Sequence, residues 1–203
     1  MHGTLFQNTL PKFAHVIDEV CGTLGVVGDD LLAHLKREIP SKILFRRAQD
    51  VVLLSGHTGT GKEVIASTCH HAAKKGLDRK GELVEVNCAN LGGGVFESQL
   101  FGYKKGAFTG AVGRKEGVFE QAENGTLFLD EITEMPIDMQ PNLLRVLENK
   151  VVIRVGGTKA MPVNCRVVSA TNRSMEEIAE SKVLREDIYF RLAVFPITIP
   201  PLR

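Results

Sequence analysis

One short segment limits the possible folds of this chain more than any other. It reads Gly-His-Thr-Gly-Thr-Gly-Lys over residues 56–62, directly after the apolar run Val51–Ser55 and before a stretch of good helix formers. A glycine-rich turn that joins a strand to a helix and ends in lysine is the arrangement that cradles phosphate groups. Its backbone N–H groups turn inward, the helix N-terminus adds positive potential, and Lys62 supplies a point charge. The predicted nucleotide-binding residues are Gly56, His57, Thr58, Gly59, Thr60, Gly61, Lys62 and Glu63.

Short apolar runs rich in β-branched residues recur along the chain and predict strands that are buried on both faces. They lie at Val51–Ser55, Leu83–Asn87, Thr126–Asp130, Arg166–Thr171 and Val194–Ile199. Helical patterns fall between these runs, at Glu63–Lys75, at Gln140–Asn149 and after a capping-box pattern that starts at Ser174. The alternation of strand and helix predicts an α/β sandwich around a mostly parallel sheet.

The run Thr126–Asp130 supplies the second element of the predicted site, because it ends in two adjacent carboxylates. Beside the phosphate loop, Asp130 is expected to hold Mg²⁺ and its waters, and Glu131 is expected to polarise the attacking water. A strand that merely ends in solvated acids is the alternative, which the presence of the phosphate loop disfavours. The prediction of hydrolysis, beyond ATP binding, rests on Glu131. Glu63 stands where a Ser or Thr hydroxyl usually contacts Mg²⁺.

Two further features leave alternatives open. Asn172 follows the run Arg166–Thr171, where its amide is suited to sense a terminal phosphate, although Asn at a strand end is usually a turn residue. The glycine-rich stretch Gly102–Gly117 carries Phe108 among polar residues. An aromatic side chain in such a loop is suited to contact with a partner. The other interpretation is a loop whose Phe108 folds back onto its own domain.

Composition narrows the classes of function and location. The 203 residues carry a net charge of +1, which disfavours a generally basic, nucleic-acid-coating surface. No uncharged apolar run approaches the roughly 20 residues that a membrane helix needs. The four cysteines lack zinc-type spacing and predict reduced, mostly buried thiols in a cytosolic protein. The adjacent His70 and His71 point in different directions on a helix, and we expect a solvated helix surface there rather than a metal site.

These residues together resemble the AAA+ ATPase domain of bacterial enhancer-binding proteins, which activate sigma-54 RNA polymerase. The resemblance extends over residues 26–203 and is most specific at Glu97–Ala111, which ends in Gly-Ala-Phe-Thr-Gly-Ala. That hexapeptide is the family's hallmark and is absent from most other AAA+ proteins. The family's phosphate loop also typically carries Glu at the position of Glu63. The resemblance implies a P-loop NTPase fold of three α/β/α layers, ATP and Mg²⁺ as cofactors, and a bacterial cytoplasmic location.

The resemblance also implies roles for individual residues. Asn87 matches the switch residue that holds the catalytic Glu131, and Asn172 matches the first sensor. Val27 joins the nucleotide-binding residues, and Asp130 is the implied Mg²⁺ ligand. The residues implied to contact sigma-54 are Gly106, Ala107, Phe108, Thr109, Gly110 and Ala111, supported by a second loop around Val152–Met161.

Arg185 and Arg191 match the family's paired arginine fingers, which reach into the site of a neighbouring subunit. An arginine there would offset charge that develops on the transferred phosphoryl group, whereas solvated arginines on a helix are the alternative. The implied assembly is a ring, probably a hexamer, with ATP at each interface. Hydrolysis would move the loop at Gly106–Ala111, which remodels the sigma-54 closed promoter complex and allows open-complex formation.

The chain also departs from the family pattern. His57 stands where Glu is common, and Ala193 replaces a common Asn. The family continues beyond the position of Arg203 into a helical lid, so we expect residues 26–203 to be the α/β part of the ATPase domain with the lid truncated. Residues 1–25 are expected to be an N-terminal linker or extension. DNA contact is expected only through an absent helix-turn-helix domain.

Two other hypotheses compete with this one. The first is an AAA+ motor or remodelling ATPase that acts on another substrate, and the hallmark hexapeptide argues against it. The second is a non-catalytic, nucleotide-dependent scaffold. The intact Lys62, Asp130 and Glu131 argue against an inherent inability to hydrolyse ATP.

Overall fold

A single parallel sheet organises the molecule, for which the computed structural model describes residues 51–76 and 79–199. In chain order the strands and helices are β1 (Val52–Ser55), α1 (Lys62–Gly76), β2 (Leu83–Asn87), α2 (Gly93–Phe101), α3 (Val118–Gln121), β3 (Thr126–Asp130), α4 (Gln140–Asn149), β4 (Val151–Ile153), β5 (Ala160–Pro162), β6 (Arg166–Thr171), α5 (Met175–Ser181), α6 (Glu186–Leu192) and β7 (Phe195–Thr198). Two 3₁₀ helices lie at Cys88–Asn90 and Ile132–Glu134. The sheet order is β2-β3-β6-β1-β7, and every pairing is parallel.

Side chains of each strand alternate between the two faces of this sheet, as the two-residue period of a strand requires. Val52 and Leu54 of β1 pack in one buried cluster with Ile65 and Cys69 of α1. Leu53 of β1 packs in the other cluster, which also contains side chains of α2, α3, α4, α5 and α6. Both faces of the sheet are therefore covered by helices, which confirms the predicted three-layer α/β/α sandwich.

The sequence predicts the sheet well, because its inner strands β1, β3 and β6 are buried on both faces and read as largely apolar runs. The predicted bounds of β2, β3 and β6 are those observed, while β1 and β7 are shorter than predicted at their ends. Helix α4 also has its predicted bounds. Ser174 caps α5: its hydroxyl accepts from the Glu177 N–H at 3.1 Å, and its own N–H donates to the Glu177 carboxylate at 2.7 Å.

Helix α2 and the hairpin of β4 and β5 are not among the helices and strands that the sequence predicts. The glycine-rich stretch after Leu91 opens helix α2, which buries Phe96 and Leu100 completely. The burial of these two side chains, at about 1.5–3 kcal/mol each, outweighs the poor helix propensity of Gly93 and Gly94. The segment Val152–Met161, which the resemblance implies is a second loop, is the turn of an antiparallel hairpin, in which β4 and β5 flank residues 154–159.

The prediction for His70 is wrong. Its side chain is buried against the sheet, where its Nδ1 lies 3.1 Å from the Thr126 hydroxyl at the start of β3. His71 is exposed, and its ring contacts the Ser67 carbonyl one turn earlier. The two rings point in different directions, as expected for neighbours on a helix. The ring of His70 points into the core, and that of His71 points to solvent.

Acidification is expected to destabilise the fold through His70. Burial lowers the pKa of His70 from its ordinary 6.5, and the positive charges of His71 and Lys74 lower it further, against an opposing effect of Glu82. Since the unfolded chain then binds the proton more readily, stability is full above about pH 6.5 and falls as the pH drops below it. We expect His70→Gln to reduce the loss of Tm between about pH 7.5 and 5.5.

The control for this measurement is His71→Gln, which removes an exposed imidazole from the same helix turn. Because it removes only one of the charges that lower the pKa of His70, it should keep most of the acid-induced loss of Tm that the parent chain shows. An equal acid-induced loss of Tm in the parent chain and in His70→Gln would contradict the assignment.

The predictions about the cysteines and about membrane-spanning helices can be compared with the described part of the chain. Cys69, Cys88 and Cys165 are free and buried there, as predicted, and burial raises the pKa of Cys69 to about 11. Among the described residues, no helix has the length and apolar character that crossing a bilayer requires. Cys21, Val27 and the expected linker at 1–25 lie outside the described residues.

Candidate functional site

The predicted phosphate loop begins at the carboxyl end of β1, which lies between β6 and β7 in the sheet. Gly59 and Gly61 both have φ of +81°, a left-handed conformation that glycine adopts without strain. The Thr60 hydroxyl donates to the His57 carbonyl at 2.8 Å and closes the loop from within. Helix α1 then begins at Lys62, and Glu63 lies in its first turn, where a negative charge suits the helix dipole.

Position 56 has too little space for any side chain, so glycine is required there. A Cβ atom at this position would lie 2.9 Å from the Thr60 hydroxyl oxygen and 3.0 Å from the Ile199 Cβ. The Gly56 N–H donates to the Thr171 carbonyl at the end of β6, at 3.2 Å. The loop is therefore held between the ends of β6 and β7, both neighbours of β1.

Lys62 is folded into this loop. Its Nζ donates to the carbonyl oxygens of Gly56 at 2.8 Å and of His57 at 3.1 Å. Burial lowers the pKa of Lys62, and the negative charges of Asp130 and Glu131 act in the opposite direction. The structure thus brings together the three residues whose proximity the sequence predicts: the lysine of the loop and the two carboxylates at the end of β3.

Glu131 has an unusual backbone. Its φ and ψ are 50° and 46°, the left-handed region that few residues other than glycine occupy. The Asp130 carboxylate accepts the Glu131 N–H at 2.9 Å and thereby holds this turn. Backbone conformations of this kind cost about 1–3 kcal/mol and cluster at functional sites. This turn lies at the carboxyl end of β3, on the same edge of the sheet as the phosphate loop.

Asn87 lies beside this acidic pair, because β2 and β3 are in a register that places Asn87 directly opposite Asp130. Its side-chain oxygen accepts the Ala89 N–H at 2.9 Å, so that Asn87 caps the 3₁₀ helix Cys88–Asn90. Its implied partner, Glu131, is the residue after Asp130 on the adjoining strand end.

Asn172 lies one residue beyond β6, and its side chain is exposed. It lines an open cavity of about 570 Å³ together with Arg173 and residues of α5. The preceding Thr171 is buried, and its hydroxyl lies 3.2 Å from the Thr133 hydroxyl behind Glu131. Asn172 therefore reaches the same edge of the sheet as the phosphate loop, since Thr171 pairs with Ser55 at the end of β1.

The donor set fits a single Mg²⁺ ion bound in the manner of nucleotide sites. Such sites use one or two protein carboxylates, and phosphates and waters complete the octahedron. Asp130 is half-buried at the strand end, next to the lysine that would face the phosphates. Within the described ranges, no cluster of three or more His, Cys, Asp or Glu side chains forms a dedicated metal cage.

The two predicted finger arginines lie at the two ends of α6. Arg185 forms a bidentate pair with Asp187, at 3.1 Å from Nε and 2.8 Å from Nη2, and its side chain is exposed. Arg191 is partly buried, and its Nη2 donates to the Leu147 carbonyl in the last turn of α4 at 2.9 Å. Its buried Nε has no hydrogen-bond partner. Both guanidinium groups thus bond to α4 or α6 and not to the phosphate loop of the same chain.

The loop with the sequence Gly-Ala-Phe-Thr-Gly-Ala follows the carboxyl end of α2. Phe108 is 45% exposed, and its ring meets the Tyr103 ring edge-on at 5.0 Å between centroids. Thr109 is exposed at the tip, and Gly106 and Gly110 have positive φ. The ring of Phe108 thus rests on a residue of its own loop and remains open to solvent. Both interpretations left open by the sequence are partly met, because the ring folds back and is also available for contact.

The base of this loop is narrow. The backbones of Tyr103 and Lys115 bond to each other in both directions at 3.0 Å. A Cβ at Gly102 would lie 2.6 Å from the Gly117 nitrogen, and a Cβ at Gly117 would lie 2.5 Å from the Gly102 nitrogen. The two glycines therefore allow a backbone contact that other residues would prevent.

Comparison with known proteins places the phosphate loop and the exposed loop within one family match. The family model described as the sigma-54 interaction domain matches residues 31–198. This chain belongs to the sigma-54 interaction domain family. Its relatives include the DNA-binding transcriptional activator HyfR of Escherichia coli K12, with 48% identity over 98% of this chain, and the anaerobic nitric oxide reductase transcription regulator NorR of Escherichia coli, with 44% identity over 97%.

Two solved structures show the same fold. NtrX from Brucella abortus superimposes with a TM-score of 0.75 at 31% identity, covering 86% of this chain and 37% of that protein. The same protein in complex with ATP gives a TM-score of 0.72, covering 86% of this chain and 38% of that protein. The match covers 30% of HyfR and 38% of NorR. The chain therefore spans about a third of the length of the relatives that it matches.

Sequence reasoning missed a residue that positions the start of α6 in this sigma-54 interaction domain. Gln140 is fully buried at the beginning of α4, and its amide donates to the carbonyl oxygens of Val183 at 2.8 Å and Met135 at 3.3 Å. Its oxygen accepts the Arg185 N–H at 2.8 Å. The sequence around Gln140 gives no signal of this burial, because Asn142 in the same helix turn is also polar and is exposed.

A second missed group ties the β4–β5 hairpin to the exposed loop of the sigma-54 interaction domain. Arg154 forms a bidentate pair with Glu120 of α3, through Nε at 2.9 Å and through Nη2, and lies 3.8 Å from Glu116. The side chains of Arg154 and Glu120 are only 11% and 16% exposed. The Lys104 N–H donates to the Val155 carbonyl at 3.1 Å. The Val155 N–H in turn donates to the Gly102 carbonyl at 2.9 Å, so the hairpin supports the loop base by the ion pairs of Arg154 and by two backbone hydrogen bonds.

Arg154→Met is expected to loosen the loop base, because it leaves the Glu120 carboxylate without its bidentate partner. Removing one member of a poorly exposed pair costs more than removing an exposed one. We expect tryptic cleavage after Lys104, Lys105, Arg114 and Lys115 to accelerate about tenfold, as local opening becomes easier by about 1.4 kcal/mol. Mass spectrometry of the fragments measures the site and the rate.

The matched control is Arg173→Met, since Arg173 makes a single, more exposed ion pair with Glu134 at 3.4 Å. Its cleavage rate within residues 103–116 should stay at that of the parent chain. An unchanged rate in Arg154→Met would refute the role of this pair in holding the loop.

Proposed function

We propose that this sigma-54 interaction domain hydrolyses ATP in order to remodel the sigma-54 RNA polymerase closed complex and promote open-complex formation. The observation that carries the proposal is the convergence of Lys62, Asp130 and Glu131 at one edge of the sheet in a chain whose exposed loop has the hallmark sequence at residues 106–111. Membership of a family of sigma-54-dependent activators and likeness to a protein solved with ATP support it.

Each residue at the sheet edge has a proposed task. The backbone of Gly56–Glu63 binds the phosphates, and Lys62 exchanges its two carbonyl partners for phosphate oxygens. Asp130 would hold Mg²⁺, which neutralises charge on the phosphates when bound. Glu131 accepts the proton of the attacking water. Asn172 is proposed to sense the terminal phosphate, and Val27 is proposed to take part in nucleotide binding.

Coupling to the loop is proposed to start at Asn87. Its position opposite Asp130 allows it to hold Glu131 in one nucleotide state and release it in another. The chain continues from Asn87 through the 3₁₀ helix Cys88–Asn90 into α2, whose end is the loop base. A shift at the nucleotide can thereby reach Phe108 and Thr109 through one continuous stretch of backbone.

Arg185 and Arg191 are proposed to act in a neighbouring subunit of a hexameric ring. In support of this proposal, both side chains bond within their own subunit at positions other than the phosphate loop. An arginine from a neighbour would stabilise charge on the transferred phosphoryl group. We further propose that residues 26–203 form the ATPase module and that residues 1–25 connect to it.

A mixing experiment tests the proposal. Lys62→Ala and Arg191→Ala chains are each expected to be inactive as ATPases. Their equimolar mixture should regain about a quarter of parental ATP turnover, because in a head-to-tail ring about one interface in four joins an intact loop to an intact arginine. Absence of recovery at every mixing ratio would count against action in trans.

A further inference from the structure

The charges of this chain are unevenly distributed. Residues 103–115 contain Lys104, Lys105, Arg114 and Lys115 and no acidic residue, and residues 154–161 contain Arg154 and Lys159 and no acidic residue. These two short segments carry six positive charges in a chain whose net charge is +1. The rest of the chain is therefore slightly acidic, and the positive charge is local.

The fold brings both segments to one end of the molecule. Tyr103 pairs with Lys115 on one side and with Val155 on the other, so that the loop strands and the β4–β5 hairpin lie side by side. A Cβ atom at Gly157 would lie 3.2 Å from the Lys104 Cε, which places the aliphatic stem of that lysine against the hairpin. The cations of the two segments thus share one surface around the base of the loop.

Most of these cations have no carboxylate partner. Lys104, Lys105, Lys115 and Lys159 are exposed, and in the described part of the chain none of them forms an ion pair. Arg114 is 69% exposed and lies 3.5 Å from Glu116, a contact of little strength at such exposure. Arg154 is neutralised by Glu120 and does not belong to the free charge. We call the exposed set the basic collar: Lys104, Lys105, Arg114, Lys115 and Lys159.

The chemistry of the basic collar fits a polyanion better than an ordinary protein surface, which mixes both signs of charge. Two aromatic rings, Tyr103 and Phe108, are interleaved with the cations. Exposed aromatics among lysines and arginines are a recurring feature of surfaces that follow the nucleic-acid backbone. Residues 103–115 contain no acidic residue, and the carboxylate that follows them, Glu116, is 54% exposed and lies near Arg114 and Arg154.

We propose that the basic collar binds the sugar–phosphate backbone of DNA, while the tip at residues 106–111 contacts protein. This inference rests on the proposed function, in which the loop is presented to a promoter complex where duplex DNA is within reach. Such contacts neutralise phosphates without reading bases, so the binding is independent of sequence and strongly dependent on salt. The loop would then contact two components of the promoter complex at once.

The test measures binding of the 203-residue chain to a fluorescein-labelled DNA duplex of arbitrary sequence by anisotropy, between about 50 and 200 mM salt. We expect the double variant Lys104→Gln/Lys105→Gln to weaken binding and to reduce the slope of log K against log salt by about 1.8, or 0.9 for each lost phosphate contact. The matched control is Lys80→Gln/Arg145→Gln, which removes the same charge from exposed positions outside the basic collar. It should leave the slope unchanged.

Three outcomes would overturn the inference: no binding of the parent chain at the lowest salt, an equal loss of slope in the control, or tighter binding of a labelled glutamate-rich peptide than of the duplex at the same salt. The last outcome would assign the basic collar to an acidic protein segment. ATP turnover, measured on the same variants, separates this inference from the proposed function. A variant that loses DNA binding but keeps normal ATP turnover is affected in the basic collar alone. A parent chain that binds DNA but does not turn over ATP would contradict the proposed function alone.

Discussion

Replacement of Glu131 by glutamine is expected to lower ATP turnover by about 10²- to 10⁴-fold, the range that a general base contributes, while ATP binding persists. The carboxylate is the group proposed to accept the proton of the attacking water, and an amide of the same shape cannot accept it. Binding should survive because the phosphate loop and Lys62 are untouched. Phosphate release measures turnover, and fluorescence of a labelled ATP analogue measures binding.

The matched control is Glu134→Gln, which removes an exposed carboxylate three residues further along the same 3₁₀ helix. It loses one exposed ion pair to Arg173 and should turn over ATP within about twofold of the parent chain, as expected for a pair of small energy. Parental turnover in Glu131→Gln would exclude Glu131 as the base. Loss of both turnover and binding would show instead that the left-handed turn at Glu131 supports the loop structurally.

Phe108→Ala is expected to have the second largest effect, on contact with sigma-54 rather than on ATP. Its ring is 45% exposed and rests on Tyr103, so that it offers a preformed aromatic surface at little entropic cost. Aromatic anchors at interface centres cost about 2 kcal/mol or more on truncation, roughly a 30-fold loss of affinity. We expect a loss of this size in sigma-54 capture by the ATP-bound protein and a corresponding loss of open-complex formation.

Val112→Ala serves as the control because Val112 is 83% exposed in the same loop but outside the hexapeptide. It should bind sigma-54 within about twofold of the parent chain, since surface substitutions usually change little. The ATP turnover of Phe108→Ala should equal that of the parent chain. Parental sigma-54 capture by Phe108→Ala would remove the hexapeptide loop from the proposed contact.

Patterns of burial determine how far the sequence predicts this fold. β3 and β6 are predicted residue for residue because they lie inside the sheet and are almost wholly buried, and β2 is predicted because its apolar residues outweigh the exposed Glu85. Helix α2 is missed because Gly93 and Gly94 open it, and only the tertiary burial of Phe96 and Leu100 makes the helix favourable. His70 is mispredicted for the same reason: local pattern does not reveal which flank of α1 meets Thr126.

The same reasoning applies to the candidate site. Lys62, Asp130 and Glu131 are predictable because a phosphate loop and an acidic strand end both lie at the carboxyl edge of a parallel sheet. The placement of Asn87 opposite Asp130 depends on strand order and register, which the sequence alone does not specify. Arg154 and Glu120 lie 34 residues apart, and their pairing depends on a hairpin that was taken for a loop.

The close approach of Gly102 and Gly117 has an evolutionary and practical consequence. Because the chain leaves and re-enters the domain at nearly one point, residues 103–116 form a segment whose ends are held by backbone contacts, both between Gly102 and Gly117 and with Val155 of the β4–β5 hairpin. Its length and sequence can change without moving α2 or α3, in the way that antibody loops vary on a constant framework. The architecture thus permits a change of target by exchange of one short segment, while the ATP-binding edge of the sheet stays as it is.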